Sequence, residues 1–292
     1  YQHSDLFAII KAATKGTGDH MKFGAIYCIY DDHEYLEISV GPLADKLEKI
    51  LFIVSDIPWN GKVEDNSETL TLIKDMAKRY PNIEIVNGHW ETDHDQRNSG
   101  IEILYSQGID YAFIIDSDEV YHEQQFADII SFIKLYPDIS VFHIEWNTYW
   151  KKDYHRIFPR ENFKPVIAVK TNSFLFTHIR DGITAIKREG AMVQRTDSAT
   201  YNGMLIPPAL AICYHLSYAR ADEKIKRKIE TSPHAGGISI TWYENIWLKW
   251  TLEMRDIHPV IPSQYKRAIP EKRETLPVQL QEFIAKEQLS TK

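Results

Sequence analysis

Four short apolar runs constrain the chain more than any other feature: FGAIYCIY (23–30), ILFIVSD (50–56), IEIVNG (83–88) and DYAFIIDSD (110–118). The first is a continuous apolar, aromatic-rich run and the second is apolar to its last residues, so both read as strands buried on both faces, the condition of strands in a parallel sheet; the other two read as a third and a fourth strand. The segments between them read as helices. Residues 34–48 carry Leu36, Ile38, Leu43 and Leu47 at loosely helical spacing, which Gly41-Pro42 interrupts or restarts. Residues 67–79 place Leu70, Ile73 and Met76 on one side and close at Pro81, and 96–107 forms a helix ending at Gly108. Strands alternating with helices imply right-handed crossovers, hence an α/β fold with a Rossmann-like, mostly parallel sheet.

The second half is patterned differently. A helix is expected at 123–136, followed by strands at 139–149, 164–170, 173–179, 183–187 and 209–217 without regular helices between them. That makes a mixed, partly antiparallel extension. Helices return at 221–230 and about 240–256, and from Pro259 the chain reads as a charged, proline-punctuated tail. The expected organisation is an extension at 1–20, a ligand-binding half at 21–122, a second half of the same domain at 123–258 and a tail at 259–292. His20-Met21 has the form of a cloning junction, so residues 1–20 read as vector-derived and are kept outside the fold argument.

At 292 residues the chain can bury a large core, and 26% charged residues give no sign of wholesale disorder. A formal net charge of −7 provides no global footprint for nucleic acid. The two cysteines, Cys28 and Cys213, sit in apolar runs and cannot build a disulfide framework or a thiolate zinc site, as suits a reducing cytoplasm. No apolar stretch approaches the roughly 18–20 residues that span a bilayer. A cytoplasmic protein, or one peripheral to a membrane, is expected.

Chemistry concentrates at Asp116-Ser117-Asp118, which follows the fourth apolar run and so falls at the carboxyl edge of a parallel sheet, where open α/β folds bind ligands. Alternation along an extended segment would point Asp116 and Asp118 to one side. Hard carboxylate oxygens so placed suit Mg²⁺ or Mn²⁺, and such a cation stabilises charge developing on a leaving diphosphate. Alone, the tripeptide reads as well as a solvated acidic turn.

Its surroundings are more specific. The chain runs RNSGIEIL…GIDYAFIIDSDEVY, with Arg97-Asn98-Ser99-Gly100 opening the helix before the strand, and it begins IYCIYDDHEYLEISVGPL. In order and spacing, residues 22–122 closely resemble the signature of glycosyltransferase family 2. The resemblance implies a GT-A fold, a nucleotide-sugar donor such as a UDP-sugar, a metal at Asp116 and Asp118, and Ser117 beside the diphosphate. It further implies that Tyr30 and Asp31 hold the nucleoside, that Asp56 contacts the base, and that Arg97 lies near the pyrophosphate or base. Asp31 and Asp56 read equally as turn or capping acids. One departure is evident: the second strand continues into Ile57-Pro58-Trp59-Asn60-Gly61 rather than a Ser/Gly-rich turn.

Many GT-A enzymes supply a late histidine as a third metal ligand, and His215 in AICYHLSYAR matches that place; a core histidine is the alternative. The helix after it carries Lys224, Arg227, Lys228 and, at its end, His234. Lys228 is the cation expected over the diphosphate, against the plainer reading of a solvated helix face. Inverting transfer needs a base for the acceptor hydroxyl. The resemblance puts that acid about sixty residues past the Asp-x-Asp, making Asp181 in FTHIRDG the first choice, with Glu145 and Glu189 as alternatives and an Asp-Gly hairpin as the rival reading of Asp181.

Aromatic residues at 146–158 (Trp146, Tyr149, Trp150) could shape an acceptor site, while Tyr243, Trp247 and Trp250 at helical spacing read first as core. The acceptor is expected to be a saccharide or lipid-linked saccharide, with a peptide or a modified DNA base as further options. Nucleic acid enters only as an acceptor, held by Lys151, Lys152, Arg156, Arg160 and Lys164. Two other functions fit the sheet: an inactive nucleotide-sugar-binding module, and a nucleotidyltransferase. The latter normally carries a Gly-rich, basic loop after the first strand, where this chain has Asp31-Asp32-His33-Glu34. Oligomeric state and the stereochemistry of transfer are left open by the sequence.

Overall fold

Strand β1 (Phe23–Ile29) is flanked on one side by β2 (Lys49–Ser55) and then β3 (Ile83–Gly88), and on the other by β4 (Tyr111–Ile114), all mutually parallel. This comes from a computed structural model that describes residues 21–59, 62–152, 154–177, 180, 183–189, 192–195, 202–231 and 235–290. The chain leaves β1 in one direction, returns from β3, and places β4 on the far side. The order reverses between β1 and β4, and a crevice opens at the carboxyl ends of strands where such a reversal occurs.

β1 is apolar throughout because both of its faces are covered. Phe23, Ala25, Tyr27 and Ile29 pack with Leu36, Leu43, Phe126 and Ile129 on one side. Ile26 packs with Ile101 and Leu104 of the helix Asp93–Ser106 on the other. Contact with that helix is tight. A Cβ on Gly100 would come within 2.9 Å of Ile26 Cγ2, so the glycine of Arg97-Asn98-Ser99-Gly100 lets the helix lie directly on β1.

The sheet extends past β4 through an antiparallel neighbour. With β5 (Glu119–Val120), β6 (Val141–His143), β7 (Trp146–Trp150), β8 (His155–Phe158), β9 (Val166–Lys170), β10 (Phe174–Phe176), β11 (Ile183–Glu189), β12 (Met192–Arg195), β13 (Gly203–Leu205), β14 (Cys213–Tyr218) and β15 (Arg267–Ile269), the main sheet runs β13-β6-β9-β4-β1-β2-β3. A second sheet runs β15-β8-β7-β14-β5, and β10-β11-β12 form a small antiparallel sheet. The architecture is mixed α/β with a mostly parallel central sheet, as expected.

Several local expectations change. The run 110–118 is strand only to Ile114. Asp116 to Glu119 is a turn, closed by Glu119 N–H donating to the Asp116 carbonyl at 3.0 Å. The single strand expected at 139–149 is two, β6 in the main sheet and β7 in the second. No long helix occupies 240–256: only Tyr243–Trp247 is helical, as one π-type turn. There the Trp242 indole donates to the Ile257 carbonyl at 3.1 Å, whereas 15 residues of straight helix would hold the two about 22 Å apart. Packing around the fully buried Trp150 wins over helical periodicity.

The proline-punctuated tail is part of the core. β15 pairs with β8, and the helix Val278–Ser290 buries Leu280 and Ile284 against the cluster of Tyr35, Tyr149 and Tyr214. Among the described residues, no helix is long and apolar enough to cross a membrane.

Gly100→Val should crowd the buried Ile26 and cost about 1–3 kcal/mol in equilibrium urea unfolding. An unchanged midpoint would show that helix and strand are not in direct contact.

Candidate functional site

The turns that follow β1 and β4 meet at the edge where the strand order reverses. Ser117 donates from its hydroxyl to the Asp32 carboxylate, which stitches the two turns together. Asp31 is held in the left-handed region at φ 41, a conformation aspartate tolerates, and its N–H donates to Asn66 Oδ1 at 2.8 Å. Here the sheet edge opens into a cavity of about 310 Å³, within the size range of small-molecule sites. Cys28, Ile29, Tyr30, Asp31 and Asp32 line it from the end of β1, and Asp118 from the end of β4. Pro58, Trp59 and Lys62 supply a wall after β2. Arg220 and the helix Asp222–Thr231, through Lys224, Arg227 and Lys228, supply another.

Each carboxylate at this edge has a cationic partner. Asp31 accepts from Arg227 and, at 3.3 Å, from Lys224. Arg220 bridges Asp32 at 2.9 Å and Asp118 at 3.1 Å. Asp116 meets Arg97 at 3.3 Å and Arg180 at 3.1 Å. Arg180 also donates to Glu119 and to the Ile114 carbonyl. Glu119 is wholly buried, and burial pushes its carboxyl up to about 7 against the pull of Arg180. For Asp116, burial is outweighed by Arg180 and Arg97, and its carboxyl is lowered.

The three expected metal ligands are not gathered as one set. Because Asp116 to Glu119 is a turn and not extended chain, Asp116 faces its two arginines while Asp118 faces the cavity and His215. Asp118 Oδ1 and His215 Nε2 are 3.8 Å apart. Among the described residues, no group of three or more histidine, cysteine, aspartate or glutamate side chains is placed to hold a metal. Burial outweighs the nearby acids at His215 and pulls its imidazole down to about 4, so the ring is neutral and ligand-competent. Among the described residues its Nδ1 has no hydrogen-bond partner, and its ring lies against Trp146 with centroids 4.1 Å apart. The cations Arg220 and Lys228 lower the Asp118 carboxyl despite its burial.

Tyr30 lines the cavity, with its hydroxyl accepting the Glu64 N–H at 2.8 Å. Lys228 lines it too, donating to the Ser217 hydroxyl, and burial lowers its ammonium. Arg97 is buried behind the cavity, bound to Asp93 and Asp116. Asp56 does not line the cavity: its exposed carboxylate meets His89 at 2.9 Å. Glu145 is bound by Arg160 and lies 3.7 Å from Lys164. Glu189 ends β11, opposite Met192 of β12. Asp181 and His234 lie outside the described residues.

Sequence reasoning missed Asp32, Arg180 and Arg220, the residues that balance the charge. Arg220 carries one readable signal: it closes the β14 run, as the Asp116 turn closes β4. The cations proposed for a nucleic-acid acceptor are all engaged: Lys151 with Asp222, Lys152 with Glu287, Arg156 with Glu271, and Arg160 and Lys164 with Glu145. Tyr149, Trp150 and Trp247 are core residues, while Trp146 is half-buried beside His215.

No protein-family model and no curated protein matches the chain. Among solved structures, S. aureus TarS residues 1–349 is similar over 44% of this chain and 36% of that one, at 18% identity and a TM-score of 0.34. GalNAc-T7 with UDP, GalNAc and Mn²⁺ is similar over 73% of this chain and 48% of that one, at 9% identity and a TM-score of 0.43. A 4-diphosphocytidyl-2C-methyl-D-erythritol synthase from Anaerococcus prevotii is similar over 52% and 71%, at 16% identity and a TM-score of 0.36. This chain thus spans about a third of the TarS fragment and about half of GalNAc-T7. At these scores the overlaps are partial, and they assign neither an activity nor a ligand.

Arg180→Ala would leave the buried Glu119 uncompensated, with an expected loss of about 3–5 kcal/mol in chemical denaturation. Lys152→Ala, which breaks an exposed pair with Glu287, should change stability by less than about 1 kcal/mol. Equal effects would mean that the Arg180 cluster is solvated.

Proposed function

We propose that the chain is a nucleotide-sugar-dependent glycosyltransferase, moving a sugar from a donor such as a UDP-sugar to an acceptor hydroxyl. The observation that carries this reading is the cavity at the β1/β4 reversal. It brings the acidic turns after β1 and β4 together with the cations of the helix Asp222–Thr231. A nucleoside diphosphate offers what each part needs: an uncharged nucleoside for Ile29 and Tyr30, and phosphates for Arg220, Lys224, Arg227 and Lys228. The resemblance of residues 22–122 to glycosyltransferase family 2 supports the same reading independently of the geometry.

Two of the three expected donors, Asp118 and His215, would serve a divalent cation that takes its other ligands from the diphosphate. Asp118 supplies a hard carboxylate and His215 a neutral imidazole 3.8 Å away, a pairing better suited to Mn²⁺ than to Mg²⁺. When bound, the cation would offset negative charge on the leaving diphosphate. Asp118 and His215 would hold it, Arg97 and Arg180 would keep Asp116 ionised and fixed, and Lys228 would face the phosphates. An inverting mechanism is proposed. Of the expected bases, Glu145 is tied to Arg160 and lies 3.7 Å from Lys164, and Asp181 is kept as the proposed base. A saccharide or lipid-linked saccharide is the proposed acceptor.

A panel of nucleotide-sugars with Mn²⁺, followed by nucleoside diphosphate release, tests the reading. Turnover is expected for at least one donor, and the near-isosteric Asp118→Asn, checked for retained fold by circular dichroism, should reduce it about 10²-fold or more. Release of pyrophosphate from a nucleoside triphosphate instead would indicate a nucleotidyltransferase. Absence of turnover and of binding with every donor would refute the assignment.

A further inference from the structure

The segment after β2, where the chain departs from the family's pattern, builds a feature that the charge chemistry does not explain. Trp59 is 38% exposed, yet it is one of the better-braced side chains at the cavity. Its indole N–H donates to Gln96 Oε1 at 2.6 Å, and Gln96, buried to 1% exposure, donates in turn to the Ile53 carbonyl at 2.6 Å. The Arg97 guanidinium lies 5.8 Å from the ring centroid. The indole therefore needs no further polar partner, and its open surface belongs to the cavity that it lines with Pro58, Ile29 and Tyr30.

Asp56 behaves in the opposite way. Its carboxylate is 68% exposed, paired with His89, and absent from the cavity lining.

We infer that Trp59 is the stacking platform for the nucleobase of the donor, and that Asp56 takes no part in reading the base. This rests on the nucleotide-sugar reading above. The physical case is one of position and cost. A flat apolar ring exposed at a ligand cavity is poorly solvated by water and is well covered by a base. Because Gln96 and Arg97 already fix the ring, little side-chain entropy is lost when the base arrives. The cations of the helix Asp222–Thr231 lie on a different wall of the same cavity, so one ligand can place its base on Trp59 and its phosphates on Arg220 and Lys228. Arg97 thereby acquires a second role as a positioning residue, bracing Trp59 from behind while it holds Asp116.

Calorimetric titration of the whole chain with UDP, GDP and inorganic pyrophosphate, at constant Mn²⁺, tests this. Trp59→Ala should weaken both nucleoside diphosphates about tenfold or more and leave pyrophosphate unchanged, whereas Trp59→Phe should stay within a few-fold of wild type. Asp56→Asn should bind as wild type does. Equal nucleotide affinity in Trp59→Ala, or a comparable loss in Asp56→Asn, overturns the inference while leaving the donor site standing. No binding of any of the three ligands by the wild-type chain overturns the donor site itself. Should Trp59→Ala fail to fold, indole fluorescence decides: UDP should quench wild type, and quenching of equal size in Trp59→Phe would refute stacking on Trp59.

Discussion

Acids outnumber what a half-buried sheet edge can hold without help, and pairing them with arginines is the constraint on which the rest of the structure depends. Asp31, Asp32, Asp116, Asp118 and Glu119 converge from the turns after β1 and β4. Left alone, carboxylates this close and this buried would take up protons or push the turns apart. Arg97, Arg180, Arg220 and Arg227 prevent that, arriving from three separate stretches of the chain, since Arg220 lies just before the helix that carries Arg227. Guanidinium suits the task because its planar set of donors can serve two carboxylates at once, as Arg180 and Arg220 both do. The second sheet has its purpose here: β14 carries His215 and leads into Arg220, and β5 carries Glu119.

Much of the parallel core was legible in the sequence because burial on both faces of β1 and β2 leaves an unbroken apolar run, and no other element produces one so short. The helix at 67–79 was legible for the complementary reason, a single apolar stripe ended by a proline. The second half was less so. β5, β8, β12, β13 and β15 are two to four residues long, too short for any period to register. The stretch around Tyr243 has helical spacing, but Trp242 and Trp247 pack on Trp150 within a single turn, and tertiary packing decides there.

The candidate site shows the same division. Asp118, Tyr30, Asp31 and Lys228 line the cavity that the motifs pointed to. Asp116 was placed by assuming that the strand runs on to Asp118, whereas the backbone turns after Ile114 and sends the two acids to different partners. Asp56 presents an exposed carboxylate paired with His89 and is not among the residues that line the cavity. Arg180 and Arg220 stand inside FTHIRDG and AICYHLSYAR, where the family resemblance directs attention to Asp181 and His215 instead. A charge that neutralises others leaves little mark on the local sequence, because its position is set by residues far along the chain.

That distance has a consequence for how the protein is made. Arg227 reaches back 196 positions to Asp31, and Arg220 reaches 188 to Asp32. On a ribosome the acidic turns emerge first and must wait for most of the remaining chain before their counter-ions exist. Closing contacts of such length is slow, since the loop entropy is lost before any of the pairs forms. The β1–β4 sheet, with its short crossovers, can condense well before then. The charged edge would thus be among the last parts to set, and a nascent chain stalled before β14 would present an ordered sheet whose Asp31, Asp32 and Asp118 still lack their cations.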